Sequence, residues 1–175
     1  VPATDLEEIL ARNCHISDTA RAARFCRQAE QARYFCKDIH YPDVPLHTPT
    51  FDTTLLSAHI RPGHVMLIDC WASWCGPCRA AIPAVKALYG KYDRDRFDVI
   101  SISLDSKKED WQKALEEEKM PWPQFIAGNR GYEQLTLRYN INSIPNLILI
   151  DDKVQVVCNT FSPEEISIEL EEILR

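Results

Sequence analysis

The sequence lacks a long hydrophobic run, an excess of basic residues and a visible export signal. Its longest uncharged apolar runs, residues 65–68 and 147–150, are far shorter than the roughly 20 residues of a membrane-spanning helix. Twenty basic residues against 26 acidic ones give a net charge of −6, whereas nucleic acids and anionic membranes attract basic surfaces. Val1 is followed by neither a basic segment nor an apolar one, so no signal peptide is seen. We therefore expect no nucleic-acid partner and no membrane insertion by these residues.

The sequence also shows no internal repeat. Its composition excludes a disordered chain, since 45% of the 175 residues are hydrophobic and 26% are charged.

Three prolines, Pro42, Pro45 and Pro49, separate a helical pattern at residues 1–40 from a pattern of alternating strands and helices. We predict a helical N-terminal extension over residues 1–45 and an α/β domain over residues 46–175, with helices on both faces of its sheet.

Hydrophobic periodicity and helix caps predict the order of elements in the α/β part. Strands are expected at residues 65–70, 97–104, 122–126, 146–150 and 154–160, and the last two are expected to form a hairpin. Helices are expected at residues 75–92 and 132–139. Two more are expected after the caps Ser106 and Ser162, where Glu109 and Glu165 would complete capping boxes.

One short segment carries recognisable chemistry, the motif Cys75-Gly76-Pro77-Cys78, which follows a buried strand and opens a helix. Two thiols three residues apart at a helix start come close enough to form a disulfide. The helix N-terminus favours an anion, which lowers the pKa of Cys75 towards about 7 and makes its thiolate a nucleophile near neutral pH. Cys78, one turn further on, is expected to resolve the mixed disulfide. Gly76 lets a partner backbone approach, and Pro77 costs no hydrogen bond at this position.

The alternatives for this cysteine pair are a zinc site and a structural disulfide. A zinc site built on Cys-x-x-Cys needs a second pair of ligands at a fixed spacing. The sequence contains one such pair and no His-x-x-x-His pattern. We therefore predict a redox-active pair, with no metal and no cofactor.

Residues 65–85 resemble thioredoxin, because Trp74 and the Cys-Gly-Pro-Cys motif are intact and Asp69 lies six residues before Cys75. From about residue 46 to residue 175 the chain is similar to the exported thioredoxin-like oxidoreductases of the TlpA and ResA type. The further matching segments are Trp71–Trp74, Ile102–Asp105, Pro121–Pro123, Tyr139–Ile141 and Ile144–Pro145. The resemblance implies a thioredoxin fold, that is, a central mixed sheet with helices on both faces. Residues 1–45 match nothing in this family.

The resemblance assigns a proton-transfer role to Asp69, which matches a buried acid of the family. A carboxylate removed from water has a raised pKa, so it can exchange protons with the inner thiol, Cys78. The alternative is a solvated aspartate at the end of a strand. The apolar residues before Asp69 favour burial.

The resemblance also implies a substrate groove around the cysteines. Ile144 and Pro145 match a cis-proline loop that faces the disulfide, where the residue before the proline offers its backbone to an extended substrate. Trp74 is expected to pack beside the disulfide and, with Gly76 and Pro77, to contact substrate. The alternative for Trp74 is an ordinary core or rim aromatic.

The other cysteines leave several interpretations open. Because the chain has seven cysteines, at least one is unpaired within the monomer. Cys26 and Cys36 fit a packed helical stripe. The alternatives are a structural disulfide, which Cys14 could join, and a metal site formed with Cys14, His15 and His40. Cys70 stands where an aromatic residue is more usual in the family, and Cys158 is expected in the core of a strand.

Together these features predict a thiol-disulfide oxidoreductase that reduces protein disulfides and receives electrons from an upstream thiol donor. The Gly-Pro dipeptide is that of thioredoxin, which is strongly reducing. The alternatives are an oxidant or isomerase of disulfides and a non-catalytic binding or adaptor module. The resemblance and the first residue, which is not Met, favour a periplasmic or otherwise exported protein whose signal or lipid anchor has been removed. A cytoplasmic protein is the alternative.

Overall fold

The computed structural model describes residues 43–139, 141–151 and 156–175. The helices predicted within residues 1–40 and the pairing of Cys14, Cys26 and Cys36 lie outside these ranges, so the helical extension stays a prediction. The strands of the described residues are β1 (Pro45–His47), β2 (Thr53–Leu55), β3 (Val65–Trp71), β4 (Phe97–Ser103), β5 (Gln124–Ile126), β6 (Asn146–Ile150) and β7 (Val156–Thr160).

These strands form one mixed sheet in the order β2-β1-β5-β4-β3-β6-β7. β3 is parallel to β4, and β4 to β5, whereas β6 is antiparallel to both β3 and β7. The predicted hairpin of β6 and β7 is therefore confirmed. Every residue of β3 and β6 is buried, as expected for central strands that are covered on both faces. Because Cys70 pairs with Asn146, the end of β3 lies beside the start of β6.

The helices of the described residues are α1 (Gly76–Lys91), α2 (Lys108–Glu118), α3 (Gly128–Tyr139) and α4 (Pro163–Ile173), and a short 3-10 helix spans Leu56–His59. Val85 of α1 and Ile166 of α4 pack with Leu67 on one face of the sheet. Leu135 of α3 packs with Ile68 on the other face. The predicted mixed sheet with helices on both faces is confirmed. None of the described helices is long and apolar enough to cross a membrane.

A third cluster closes the end of the sheet where β3 runs into α1. It contains Trp71 at the end of β3, both residues of the pair Cys75 and Cys78, and Trp111 and Ala114 of α2. Both tryptophans are fully buried. The face of α2 that carries Trp111 and Ala114 therefore packs against the cysteine motif.

The two predicted helix caps have different outcomes. Ser162 caps α4, since its side chain accepts a hydrogen bond from the Glu165 backbone N–H. The Glu165 carboxylate, however, accepts from the Thr160 hydroxyl at 2.6 Å, so the reciprocal half of the predicted capping box is replaced by a contact with β7. The prediction for Ser106 is wrong, because the chain stays extended through Lys107 and α2 begins at Lys108 without a side-chain cap.

The N-terminal part of the sheet was not expected from the sequence. β1 pairs antiparallel with β2 and with β5. Val44 and Leu46 on either side of Pro45 are buried in the core, so the sheet begins at Pro45, within the stretch assigned to the helical extension. α3 also begins at Gly128, earlier than the predicted residue 132.

Candidate active site

The cysteine motif lies at the junction between the buried strand β3 and the helix α1. β3 ends at Trp71 and α1 begins at Gly76. In the connecting turn the Cys75 N–H donates to the carbonyl oxygen of Ala72 at 3.0 Å. Cys75 is the N-cap residue of α1, so its sulfur lies at the positive end of the helix dipole.

Cys75 and Cys78 are joined by a disulfide, with their Cα atoms 5.2 Å apart. Both residues are buried, whereas Gly76 and Pro77 between them are exposed. The Cys78 N–H donates to Cys75 Sγ at 3.2 Å, and such a donor stabilises negative charge on that sulfur. The structure thus describes the oxidised form of the pair, with an exposed backbone edge beside it.

Asp69 lies on the side of the sheet that α1 covers. Its neighbours along that side of β3 are Leu67, which packs with α1, and Trp71, which packs with Cys78. Asp69 is 5% exposed, and burial raises its pKa to about 6, against a smaller lowering by a hydrogen bond from Ser101. The predicted burial of Asp69 is confirmed, and the solvated alternative is wrong. A carboxyl of this pKa can accept a proton near neutral pH.

Ile144 and Pro145 lie where the resemblance places them. The Ile144–Pro145 peptide bond is cis, and it directly precedes β6, the neighbour of β3. Ile144 is partly buried and packs against the cluster that contains Cys75 and Cys78. The structure therefore brings the cis-proline loop and the disulfide together.

Trp74 is 70% exposed, so it is a surface aromatic beside the motif and not a core residue. Gly76 and Pro77 are exposed as well. An exposed indole is a large apolar contact surface with a single hydrogen-bond donor. These three residues form an accessible rim next to the disulfide, and their contact with substrate stays a prediction.

Asp105 ends the matching segment Ile102–Asp105, but nothing in the sequence assigns it a role. In the structure it fixes the turn before Cys75. Its buried carboxylate accepts from the Ser73 N–H at 2.8 Å, from the Ser73 hydroxyl at 2.6 Å and from the Ser103 hydroxyl at 2.6 Å. The Leu104 N–H also donates to the carbonyl oxygen of Trp71 at 2.8 Å. The loop after β4 thus holds the turn that carries the motif. The contacts between Ser73 and Asp105 join residues 32 positions apart, and spacing along the sequence does not show them.

Cys70, the residue after Asp69, belongs to the opposite face of the sheet. It is fully buried and packs with Met66 and Ile68. Burial, and secondarily the charge of Asp69, raise the pKa of its thiol. A thiol held in its neutral form is a poor nucleophile, so Cys70 is not a competitor for the motif. Cys158 is partly buried on β7.

The family model of thioredoxin-like proteins matches residues 63–156 of this chain. The chain therefore belongs to the thioredoxin-like family. The matched span includes the cysteine motif, the buried acid and the cis-proline loop. The protein is a thiol-disulfide oxidoreductase, as its relatives and the Cys75–Cys78 pair together show.

Two relatives illustrate this assignment. Thiol-disulfide oxidoreductase ResA of Geobacillus kaustophilus is 26% identical over 133 residues, which cover 71% of this chain and 75% of that protein. A thiol-disulfide oxidoreductase from Bacteroides fragilis has a solved structure that is 25% identical, with a TM-score of 0.67, covering 75% of this chain and 97% of that one.

A further structure shows the shared fold alone. The thioredoxin domain of a thiol-disulfide oxidoreductase from Bacteroides vulgatus has a TM-score of 0.68 at 24% identity, and the match covers 77% of this chain and 95% of that one. The family resemblance predicted from the motif is confirmed.

Proposed function

We propose that this protein reduces disulfide bonds in other proteins through a dithiol–disulfide cycle of Cys75 and Cys78. The observation that carries the direction of the reaction is the environment of Cys75. Gly76 and Pro77 supply no side-chain donor to its sulfur, and one backbone N–H, that of Cys78, contacts it. Strong oxidants of this fold owe their potential to a stabilised reduced form. The Gly-Pro pair between the cysteines is that of thioredoxin and adds no such side-chain donor, which favours a reductant.

The proposed reaction has two exchange steps. In the reduced protein the Cys75 thiolate attacks one sulfur of a substrate disulfide. A mixed disulfide forms, and the other substrate sulfur leaves as a thiolate that takes a proton from water. Cys78 then loses its proton and attacks Cys75 Sγ, which forms the Cys75–Cys78 disulfide and releases the second substrate sulfur. Two electrons have passed from the protein to the substrate.

Asp69 is the proposed acceptor for the proton of Cys78. Both residues are buried on the side of the sheet that α1 covers. The carboxylate takes the proton as Cys78 attacks, and the proton then passes to the departing substrate thiolate or to solvent. Proton transfer by a positioned carboxylate typically contributes about 10²–10⁴-fold in rate.

The proposed substrates are extended protein segments that carry a disulfide. The cis-proline loop lies beside the cysteines, and a backbone there can pair with an extended segment as an added strand does. The exposed indole of Trp74 and the open backbone of Gly76 and Pro77 leave room for such a segment. Side-chain specificity is then low, because backbone pairing does not depend on sequence.

The cycle requires an upstream thiol donor, since each turnover leaves Cys75 and Cys78 oxidised. A second dithiol protein that attacks this disulfide would return the two electrons. We place the protein in an exported compartment such as the periplasm, on the strength of its resemblance to the TlpA and ResA type. Fractionation of cells that express the full-length gene checks this location, and a purely cytoplasmic distribution would contradict it.

The reduction potential of the Cys75–Cys78 pair tests the direction of the reaction. The protein is equilibrated in thiol buffers of graded potential, and its free thiols are then alkylated. The alkylated fraction of the peptide that contains both cysteines is measured by mass spectrometry. We expect a midpoint near that of thioredoxin, about −270 mV. A midpoint near about −120 mV would instead make the protein an oxidant, and a pair that never cycles would indicate a binding module. Cys78→Ser is the control, because it cannot form the disulfide.

A further inference from the structure

Ser101 lies directly beside the buried acid. Asp69 on β3 and Ser101 on β4 are paired residues of neighbouring parallel strands. Ser101 is fully buried, and its hydroxyl lies 2.8 Å from Asp69 Oδ2. A single short contact of this kind leaves open which way the hydroxyl proton points, because a hydroxyl both donates and accepts.

Trp122 decides the direction of that proton. Its Nε1–H lies 2.8 Å from Ser101 Oγ, and an indole N–H only donates. Ser101 Oγ therefore accepts from Trp122 and must direct its own proton to another group. Among the described residues, the two groups within reach are Asp69 Oδ2 at 2.8 Å and Met120 Sδ at 4.0 Å. A thioether is a weak acceptor, so the proton points to the carboxylate.

The position of Trp122 is itself fixed by two further contacts. The Ser101 N–H donates to the carbonyl oxygen of Pro123 at 3.1 Å, which ties the segment that carries Trp122 to β4. The indole also packs on Tyr89 of α1, with the ring centroids 5.3 Å apart. Trp122 is buried. The indole end of the hydrogen-bond chain from Trp122 through Ser101 to Asp69 is therefore fixed in position.

We infer that Ser101 and Trp122 are positioning residues that orient Asp69 and favour its carboxylate form, so that it is ready to accept the proton of Cys78. The inference rests on the proposed function, in which Asp69 is that acceptor. The hydrogen-bond relay from Trp122 through Ser101 to Asp69 stabilises the carboxylate, whereas burial by itself favours the neutral acid. The hydrogen bond from Ser101 lowers the pKa of Asp69, and the net value is about 6. Without the relay, Asp69 would be protonated over more of the neutral range.

The other titratable groups near this side of the sheet have different partners. On α1 these are Cys75 and Cys78, joined in the disulfide, and Arg79 and Lys86, whose side chains bind the C-terminal end of α2. α4 contributes the buried Glu169. The shift of Asp69 has burial and Ser101 as its causes and no charged side chain among them. The hydrogen bond from Ser101 is thus the main interaction that counteracts the effect of burial on the pKa of Asp69.

The pKa of the Asp69 carboxyl, measured by carbon NMR on the oxidised protein, tests the relay directly. We expect Ser101→Ala to raise this pKa by about one unit or more, since a hydrogen bond to a charged group is lost. Trp122→Phe should raise it by less, because the hydroxyl remains but is no longer directed. In Ser101→Ala the indole of Trp122 could turn and donate to the carboxylate in place of the lost hydroxyl. The double variant removes both donors and so excludes this compensation.

Thr160→Val is the matched control, because it also removes a buried hydroxyl that donates to a carboxylate, that of Glu165. Thr160 lies on β7, separated from β3 by β6, so the pKa of Asp69 should stay at its wild-type value. The inference is overturned if the Ser101, Trp122 and double variants all leave that pKa unchanged. It is equally overturned if Thr160→Val shifts it by the same amount.

The pH dependence of substrate release in a single turnover separates this inference from the proposed function. If Asp69 is the proton acceptor, the acidic limb of this profile should move to higher pH in Ser101→Ala, by the same amount as the carboxyl pKa. If Ser101→Ala shifts the carboxyl pKa but not the acidic limb of the profile, the hydrogen-bond relay is supported and the proton-acceptor role of Asp69 is contradicted. Loss of buried packing alone would change stability and not shift the limb.

Discussion

Replacing Cys75 by serine is expected to lower the rate of insulin disulfide reduction by at least about 10³-fold, because the attacking thiolate is lost. A serine hydroxyl is not ionised near neutral pH and cannot form a disulfide. The hydrogen bond from the Cys78 N–H can still be made to the serine oxygen, so the start of α1 should persist. The measurement is turnover of insulin with a chemical dithiol as the electron source.

Cys158→Ser provides the control for the loss of a thiol outside the motif. It makes the same chemical change at a partly buried position on β7, and its turnover should stay within about twofold of wild type, as for most substitutions outside a reacting site. Turnover that survives in Cys75→Ser would show that another thiol carries the reaction.

Asp69→Asn is expected to slow the resolving step by about 10²-fold near pH 7.5, because an amide cannot accept the proton of Cys78. The sign of the pH dependence follows from the pKa of Asp69, which burial raises to about 6. Above this pH the wild-type residue is a carboxylate and can act as a base. Below it the residue is protonated, so the two proteins should converge. Towards pH 9 hydroxide competes with Asp69 for the proton of Cys78, and the difference should narrow again.

The measurement is the rate of substrate release from the mixed disulfide between pH 5 and pH 9. Asp98→Asn is the matched control, since Asp98 on β4 forms an ion pair with Arg61 near the protein surface and takes no part in the proposed chemistry. Parallel profiles for wild type and Asp69→Asn across this range would contradict the proton-acceptor role.

Much of the site could be predicted because its signals are local. The strand before the motif, the start of α1 at the motif and the burial of Asp69 depend on residues close together in the sequence. The cis geometry before Pro145 could be expected from the family resemblance alone, because composition does not distinguish cis from trans. Its position beside the disulfide follows from the pairing of β6 with β3.

Two of the missed features, the strands β1 and β2 and the hydrogen-bond partner of Asp69, depend on pairing across the sheet. β1 and β2 have three residues each, too short for periodicity to show, and β1 begins at a proline in a segment that reads as a boundary. Ser101 lies 32 positions from Asp69, so its role appears once β3 and β4 are in register. Ser106 has the residue type of a cap, yet the extended backbone at Lys107 places the start of α2 beyond its reach.

Trapping of the mixed disulfide tests the central claim most directly, that Cys75 attacks and Cys78 resolves. The reduced Cys78→Ser variant is mixed with disulfide-bonded insulin, and the reaction is quenched in acid. The cysteine that carries the adduct is then located by peptide mass spectrometry. We predict that insulin is joined to Cys75, and that Cys75→Ser forms no such adduct. Cys78→Ser retains six of the seven cysteines. An adduct at one of the five other than Cys75, or no adduct while the wild type turns over, would contradict the mechanism.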